Sequence, residues 1–290
     1  MDLRAVLMGL AFALMWSSAF TSARIIVAEA PPILSLALRF ALSGALGVGL
    51  AVLLGQSLRL TGSQWRAVIV FGLCQNALYL GLNFVAMQSV QASVASIIAS
   101  ALPLLVALAN RGLFGLRIRP LGVAGLIAGS VGVLLIMGSR LGAGTDPTGI
   151  ALCVLGVVAL TVATLSMRGT GTGSNLWAVV GLQMLVGAAA LLPVGLAVET
   201  WDVTWSPRLV AALAYTTLVP GLLATWVWFA LVGRIGATPA ATFHFLNPFF
   251  GVLVAWALLG ERLGAVDLLG VAVIGAGILA VQVSKVRGAF

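Results

Sequence analysis

The chain has 290 residues, of which 61% are hydrophobic and 8% are charged, with a net charge of +8. A soluble domain carries about 25% charged residues, so a complete water-facing coat is excluded and the bilayer is the solvent that fits. The basic residues are scattered between apolar runs and form no long Lys/Arg cluster for a phosphate backbone to follow, which argues against a nucleic-acid partner.

A spanning helix needs about 20 residues. In chain order, apolar runs of that size fall near 3–26, 31–54, 65–87, 90–112, 119–138, 147–167, 174–196, 207–232, 237–259 and 264–284. The predicted fold is therefore all-α, a polytopic membrane protein of ten transmembrane helices. Arg4 ahead of an apolar stretch, with Thr21 to Ala23 as a passable cleavage site, gives the first run some likeness to a signal peptide. Its length and its place in the repeat described next favour a spanning helix. Cys74 and Cys153 each sit inside an apolar run, and neither suggests a metal site or a disulfide framework; both read as buried thiols. No cofactor is expected.

The connections are short, the longest polar ones lying around 139–146 and 199–207, and they leave no room for a soluble domain. Placing the N-terminus in the cytoplasm puts ten basic residues inside: Arg4, Arg59, Arg66, Arg111, Arg117, Arg119, Arg168, Arg234, Lys285 and Arg287. Four fall outside: Arg24, Arg140, Arg208 and Arg262. That bias supports both termini in the cytoplasm. Six of the seven acidic residues then lie outside, although acids contribute little to this rule.

The chain also repeats itself. A shift of 145 residues without a gap brings Phe84 onto Phe229, Ala92 onto Ala237, Ala95 onto Ala240 and Pro103 onto Pro248. The same shift brings Gly115 onto Gly260, Arg117 onto Arg262, Gly125 onto Gly270 and Gly132 onto Gly277. Matches of Pro, Gly and Arg in one register mean more than chance pairs of Ala or Leu. The expected units are 1–145 and 146–290, five helices each. An odd number of helices makes the second unit enter the membrane in the opposite sense, giving two inverted five-helix repeats, an architecture of many secondary transporters.

With Met15-Trp16-Ser17-Ser18 in the first helix, Arg39 in the second, and the small residues of 92–103 ending in Pro103, the chain resembles the EamA family of the drug/metabolite transporter superfamily. The strongest likeness is Asn247-Pro248 followed by Leu259-Gly260-Glu261-Arg262 and a Gly-rich last helix. The resemblance covers nearly the whole chain. The first repeat departs from the pattern, with Leu116 at the mate of Glu261, and Thr161 stands where a mate of Trp16 would be. The overall look is closest to the YddG-type exporters of amino acids, aromatic ones especially. The resemblance implies a ten-helix bundle whose central cavity is surrounded by helices one to four and six to nine, with helices five and ten beside it. The implied setting is the bacterial cytoplasmic (inner) membrane, with multiple passes.

A transporter needs a polar pocket near the midplane, where polar groups are tolerated only when they face protein or water. In the third helix Asn76, Tyr79 and Asn83 are spaced by three and four and form one stripe. Such groups bind an amino or carboxylate group without fixed charge, or hydrogen-bond neighbouring helices as packing. The repeat register sets Gly221, Thr225 and Trp228 of the eighth helix opposite this stripe, with Tyr215 and Trp226 nearby. Trp228 would wall the cavity, while Trp226 would face lipid or a neighbouring helix. In the ninth helix, Phe243, His244 and Asn247 precede Pro248. His244 is the single histidine, and three readings stand for it: a proton relay, a cavity-lining group, or a satisfied core histidine. Pro103 and Pro248, at equivalent places, are either hinges for alternating access or static bends that widen the cavity. Ser96 and Ser100 precede Pro103 on one face and either line the pocket or let helices pack. Trp16 and Ser17 are candidates for a cavity or gate position, with plain packing as the alternative. Arg39 is read as a structural anchor that snorkels outwards or pairs with an acid such as Glu261, rather than as a substrate contact. The glycines of helices five and ten (Gly122, Gly125, Gly129, Gly132, Gly270 and Gly277) read as a close-packing face.

The function these features point to is a secondary transporter that exports amino acids, aromatic ones and related metabolites, by alternating access. The alternatives are an exporter of drugs or lipophilic cations and a channel-like facilitative carrier. No Walker-type phosphate loop is present, so energy would come from gradients. An intramembrane enzyme is disfavoured, because no Gly-x-Ser-x-Gly element positions a nucleophile. The expected partners are a small-molecule substrate and membrane lipid, with the chain a monomer or weak homodimer.

Overall fold

The computed structural model describes residues 3–115, 119–140, 146–167, 175–259 and 264–286. Inside a bilayer every backbone N–H and C=O must find its partner within the protein, and a helix satisfies this internally. Among the described residues the chain is helical and forms no strand. The helices are α1 (Leu3–Glu29), α2 (Pro32–Leu53), α3 (Gly62–Ala86), α4 (Ala92–Phe114), α5 (Pro120–Arg140), α6 (Pro147–Ser166), α7 (Leu176–Val198), α8 (Pro207–Ile235), α9 (237–259) and α10 (Ala265–Val286). Eight are long and apolar enough to cross a membrane throughout, while α5 and α10 carry shorter apolar stretches, Pro120–Leu135 and Leu268–Val281. The expected all-α polytopic fold is what the chain adopts.

Helix starts follow local chemistry. Pro32, Pro120, Pro147 and Pro207 open α2, α5, α6 and α8, where a missing N–H leaves no intrahelical bond unmade. Thr61 and Gln64 form a capping box at α3. Asp146 caps α6 by accepting from Thr148 N (2.9 Å) and Gly149 N (3.1 Å), and Ser206 caps α8 through Leu209 N at 3.0 Å. Two further caps cross between the repeats. The Glu199 carboxylate, after α7, accepts from Ile33 N (2.9 Å) and Leu34 N (2.8 Å) at the start of α2. Gln56 Oε1, after α2, accepts from Trp177 N (2.9 Å) and Ala178 N (3.3 Å) at the start of α7. Each of these two helices is thus capped by the segment that follows the other.

These contacts sort the helix ends. Thr204 N donates to Glu29 O at 2.8 Å, Ser206 donates to the Glu29 carboxylate, and Ser89 donates to Asp146 at 2.7 Å. Arg24 Nη1 donates to Met87 O. The connections after α1, α3 and α7 and the start of α6 at Asp146 therefore lie at one end of the bundle, called the Glu29 end below. Gln56 and Trp177 lie at the other.

Two antiparallel pairs form the most regular packing. α2 meets α7 through Gly44, Gly47 and Gly181, where a Cβ on Gly47 would stand 2.8 Å from Gly181 Cα. α5 meets α10 through the expected glycines. A Cβ on Gly125 would lie 2.6 Å from Gly277 O, and one on Gly132 would lie 2.6 Å from Gly270 O. Gly125 is the repeat mate of Gly270, and Gly132 the mate of Gly277, so one contact is the symmetry image of the other. The α5/α10 pair stands beside the bundle. Its apolar side chains join Ile97, Ala107, Phe245 and Val252 of α4 and α9 in a small cluster, while the main core draws on α1–α4 and α6–α9.

Two irregularities recur in step. The third helix of each repeat contains a π-helical segment, Gly72–Leu80 in α3 and Thr217–Leu223 in α8, and both begin at the same point of the 145-residue register. The fourth helix of each repeat is broken just ahead of its proline. In α4 the break is at Ser100–Ala101 before Pro103, and in α9 it is the 3₁₀ segment Thr242–Leu246 before Pro248. The sequence points to the second pair of features but not to the first. Cys153 is buried, but Cys74 is only half-buried, because it sits on the outer side of the α3 π segment. The segment around Leu116, Arg117, Gly260, Glu261 and Arg262 lies outside the described residues.

Two predictions follow from this packing. Gly125→Leu forces a side chain into the α10 backbone and should destabilise the protein by about 1–3 kcal/mol, or roughly 2–12 °C in detergent melting temperature. Gly49→Ala, where a Cβ meets nothing within 4 Å and the helix gains a better former, should hold or slightly raise the melting temperature. At Asp146, the Ser89 hydroxyl and then the Thr148 amide hold the carboxyl below its usual range. Stability from a depressed carboxyl is present above its unfolded pKa, about 3.9, and is lost as pH falls through the lower folded value. The wild type should therefore melt above Asp146→Asn at pH 7, with the gap closing as pH drops below about 4.

Candidate functional site

The centre of the bundle is organised on α1. Phe12 and Trp16 are four residues apart and share one face, which the antiparallel α8 and the parallel α9 both pack against. Trp228 of α8 meets Phe12 at 4.9 Å between ring centroids, and Trp16 lies 5.4 Å from Phe12. His244, from the 3₁₀ segment of α9, stands edge-on to three rings: Phe12 at 5.2 Å, Trp16 at 5.8 Å and Trp228 at 5.2 Å. Trp16 is stacked parallel to Tyr79 of α3, with centroids 6.3 Å apart and planes 4° from parallel. All five side chains are buried. Four helices thus contribute to one aromatic cluster.

A polar knot adjoins it. Asn247 Nδ2 donates to His244 Nδ1 at 3.0 Å, and Asn247 Oδ1 accepts from Ser17 Oγ at 3.2 Å. With the amide assigned this way, Nδ1 is an acceptor and the imidazole is the neutral form with its proton on Nε2. Ser96 Oγ of α4 donates to the Asn247 carbonyl at 2.7 Å. A Cβ at Gly251 would collide with that serine, 2.0 Å from its oxygen, so the glycine is what admits the bond. Ser17, Ser96, His244 and Asn247 therefore tie α1, α4 and α9 together at one level. Of the three readings of His244, the satisfied core histidine has its hydrogen bond in place.

Beyond Trp16 and Tyr79, towards the Glu29 end, a narrow slot runs between α1, α2, α3 and α8. Its walls include Trp16, Phe20, Arg39, Tyr79, Asn83 and Pro220. The free volume is about 10 Å³, roughly what one water molecule needs, so the helices are closed around it. Asn83 Nδ2 donates to the Tyr79 carbonyl at 2.8 Å. The Arg39 guanidinium does not snorkel: the residue is 3% exposed, its Nε donates to Thr216 O at 3.1 Å, and its Cζ lies 4.9 Å from the Phe40 ring centre. Pro220, four residues on, has no N–H for an α-helical bond to Thr216 O, and the backbone here runs as a π segment instead. Ser43 Oγ takes the next carbonyl, Thr217 O, at 3.0 Å. Arg39 therefore belongs to the slot. Glu261, its suggested partner, lies outside the described residues.

The remaining sequence candidates disperse. Asn76 faces α7, where its Nδ2 donates to the Gln183 carbonyl at 2.9 Å and also to the Gln183 side chain. Ser100 bonds back to Ile97 O at the α4 break. Phe243 packs over Gly9 of α1, nearer the opposite end. Trp226 stacks on Trp177 at 5.7 Å, as a neighbour-facing residue would, and the Tyr215 hydroxyl bonds Ser18 Oγ at 2.7 Å on the outer side of α1. Thr225 bonds back to Pro220 O at 3.4 Å. Pro103 and Pro248 each follow a helix break. Sequence reasoning missed Phe12, Gln183 and Pro220. Pro220 was legible as a proline inside an apolar run, whereas Phe12 and Gln183 carried no local signal. Among the described residues no group of three His, Cys, Asp or Glu could hold a metal ion.

The sequence pattern of the EamA-like transporter family matches residues 3–138 and again 147–282, once for each five-helix repeat. The chain is 27% identical over 252 residues to the uncharacterised transporter YvbV of Bacillus subtilis, covering 86% of this chain and 82% of that protein. It is 26% identical over 291 residues to the uncharacterised inner membrane transporter YedA of Escherichia coli K12, covering 96% and 91%. One solved crystal structure superposes over the whole of both chains with a TM-score of 0.79 at 23% identity, which shows a shared fold. With two matched repeats spanning the ten helices, the chain is an integral, multi-pass membrane protein and belongs to the EamA-like transporter family.

Proposed function

We propose that the protein is a secondary transporter that exports amino acids, aromatic ones in particular, across a bacterial cytoplasmic membrane, with both termini in the cytoplasm. The observation that carries this reading is the stacked Trp16–Tyr79 pair at the floor of the slot, where α1, α3, α8 and α9 meet. Aromatic faces bind planar side chains by offset stacking, and each such contact is worth about 0.5–1.5 kcal/mol beyond area burial. The family membership and the relative named as an inner membrane transporter support the setting. The unit of transport would be one chain of two repeats, 1–145 and 146–290.

The closed slot supports alternating access rather than an open pore. Irregular backbone sits where a moving helix needs it: the π segments of α3 and α8, and the breaks before Pro103 and Pro248. In this reading Trp16, Tyr79, Asn83 and Trp228 contact or enclose the substrate, while Phe243 packs on α1 away from the slot. Ser17, Ser96, His244 and Asn247 hold α1, α4 and α9 in register, while Asn76 and Ser100 set the shape of α3 and α4. The slot lining contains no acidic residue, so the flux follows the substrate gradient rather than a carboxylate proton relay. The same absence of an acid weighs against lipophilic cations as cargo.

The test is counterflow in proteoliposomes with a panel of labelled amino acids at several imposed pH gradients. Saturable tryptophan and phenylalanine exchange is expected. Silence from both, while another class of solute moves, would remove the aromatic assignment, and unsaturable flux would favour a channel. Trp16→Leu should lower tryptophan flux about 3- to 10-fold at equal amounts of folded protein, the loss of one stacking contact. An unchanged rate would mean that the cargo does not stack there.

A further inference from the structure

Five buried side-chain polar atoms have no hydrogen-bond partner among the described residues, and two of them, Arg39 Nη1 and the Tyr79 hydroxyl, belong to residues that wall the same slot. A buried donor without a partner is unfavourable, and an unpaired guanidinium is more so. Both side chains are built to stay there. Arg39 lies seven residues into α2, roughly 10 Å along its axis, and its Nε is fixed to the Thr216 carbonyl at the start of the α8 π segment. Gly221 leaves the space beside it open: a Cβ there would come within 3.6 Å of Nη2 and 2.9 Å of Ser43 Oγ. Tyr79 is held by its ring stack on Trp16, and its backbone carbonyl holds Asn83; the polar neighbour of its hydroxyl is the Trp16 indole, which can only donate, so the O–H is left without an acceptor.

We propose that Arg39 Nη1 and the Tyr79 hydroxyl form an oxyanion site in this slot, and that the transported molecule docks there through a single carboxylate. The proposal rests on the carrier reading and names the group its cargo must possess. The match is one of charge and donor number. One guanidinium and one phenol offer one positive charge and two donors on separate arms, which suits the two oxygens of a carboxylate. A phosphate dianion would bring an extra charge into an apolar lining and leave oxygens without donors. A cation would meet the guanidinium as a like charge. The rest of the wall (Phe20, Leu80, Phe84 and Met87, with Trp16 below) takes an apolar or aromatic body. Asn83 lines the same slot, and its side-chain carbonyl is the group there able to accept from an ammonium, so the amino group assists and the carboxylate is required.

The experiment uses molecules that share one body: phenylalanine, 3-phenylpropionate, phenylalaninamide and phenethylamine. Each is tested for thermal stabilisation of the purified full chain in detergent and for competition with labelled phenylalanine in proteoliposomes. The two acids should bind and compete, while the amide and the amine should be at least about tenfold weaker, the scale of one hydrogen bond to a charged group. Tyr79→Phe keeps the ring stacked on Trp16 and loses only the hydroxyl, so it should fold normally and weaken both acids about tenfold or more. Arg39→Lys keeps the charge but loses the forked donor and should weaken them further, read on protein that remains monodisperse. Amide or amine binding as tight as acid binding, or Tyr79→Phe with undiminished acid affinity, would overturn the oxyanion site while leaving the carrier intact. Absence of flux and binding for every compound, acids included, would overturn the carrier reading and this site with it.

Discussion

A polar group left without a partner inside a bilayer costs several kcal/mol, and this chain satisfies several buried polar side chains on the backbone carbonyls of neighbouring helices. At the π segment of α8 that holds Pro220, Arg39 and Ser43 of α2 donate to Thr216 O and Thr217 O. At the 3₁₀-to-α junction of α9, the Asn247 carbonyl receives Ser96 of α4. In α7, the Gln183 carbonyl receives Asn76 from the π segment of α3. Each bond joins two helices, at least one of which is irregular close to the bond. The slot at the centre results from these pairings as much as from the residues that line it.

Packing and irregularity are distributed differently. The α2/α7 and α5/α10 pairs meet through glycines at backbone distance and run as continuous α-helices, with Pro193 inside α7 as the one internal proline among their described residues. Interfaces of that kind are bistable at best and do not deform gradually. The interrupted helices α3, α4, α8 and α9 surround α1, where the aromatic cluster and the slot are found. Close packing at the sides and broken helices in the middle is an arrangement in which the centre can change while the frame holds.

Much of the fold was legible because it depends on counting and periodicity. Ten apolar runs of spanning length cannot be soluble, and five per repeat forces inversion. The glycine register of Gly125 with Gly270 and Gly132 with Gly277 reappears as two symmetry-related backbone contacts. The candidate site was legible in part. Trp16, Ser17, Tyr79, Ser96, Trp228, His244 and Asn247 do converge. Asn76 does not, because the stripe with Tyr79 and Asn83 assumes 3.6 residues per turn. The π segment Gly72–Leu80 winds more slowly and swings Asn76 towards α7. For Arg39 the snorkelling alternative fails for a related reason: depth along a helix suggests it, but only the facing carbonyls of α8 explain why the guanidinium stays inside.

The sequence by itself determined the solvent, the number of spans, the repeat and its inversion, since these follow from hydropathy, length and parity. It also determined where both fourth helices break, since a proline removes an N–H wherever it stands. Only the tertiary structure decided which polar groups are satisfied and which are left over. That depends on pairs far apart in the chain, Arg39 with Thr216, Asn76 with Gln183 and Ser17 with Asn247, and on the pitch of helices that residue spacing assumes to be regular. The two donors left over at the slot, on Arg39 and Tyr79, are visible only once every other hydrogen bond has been assigned.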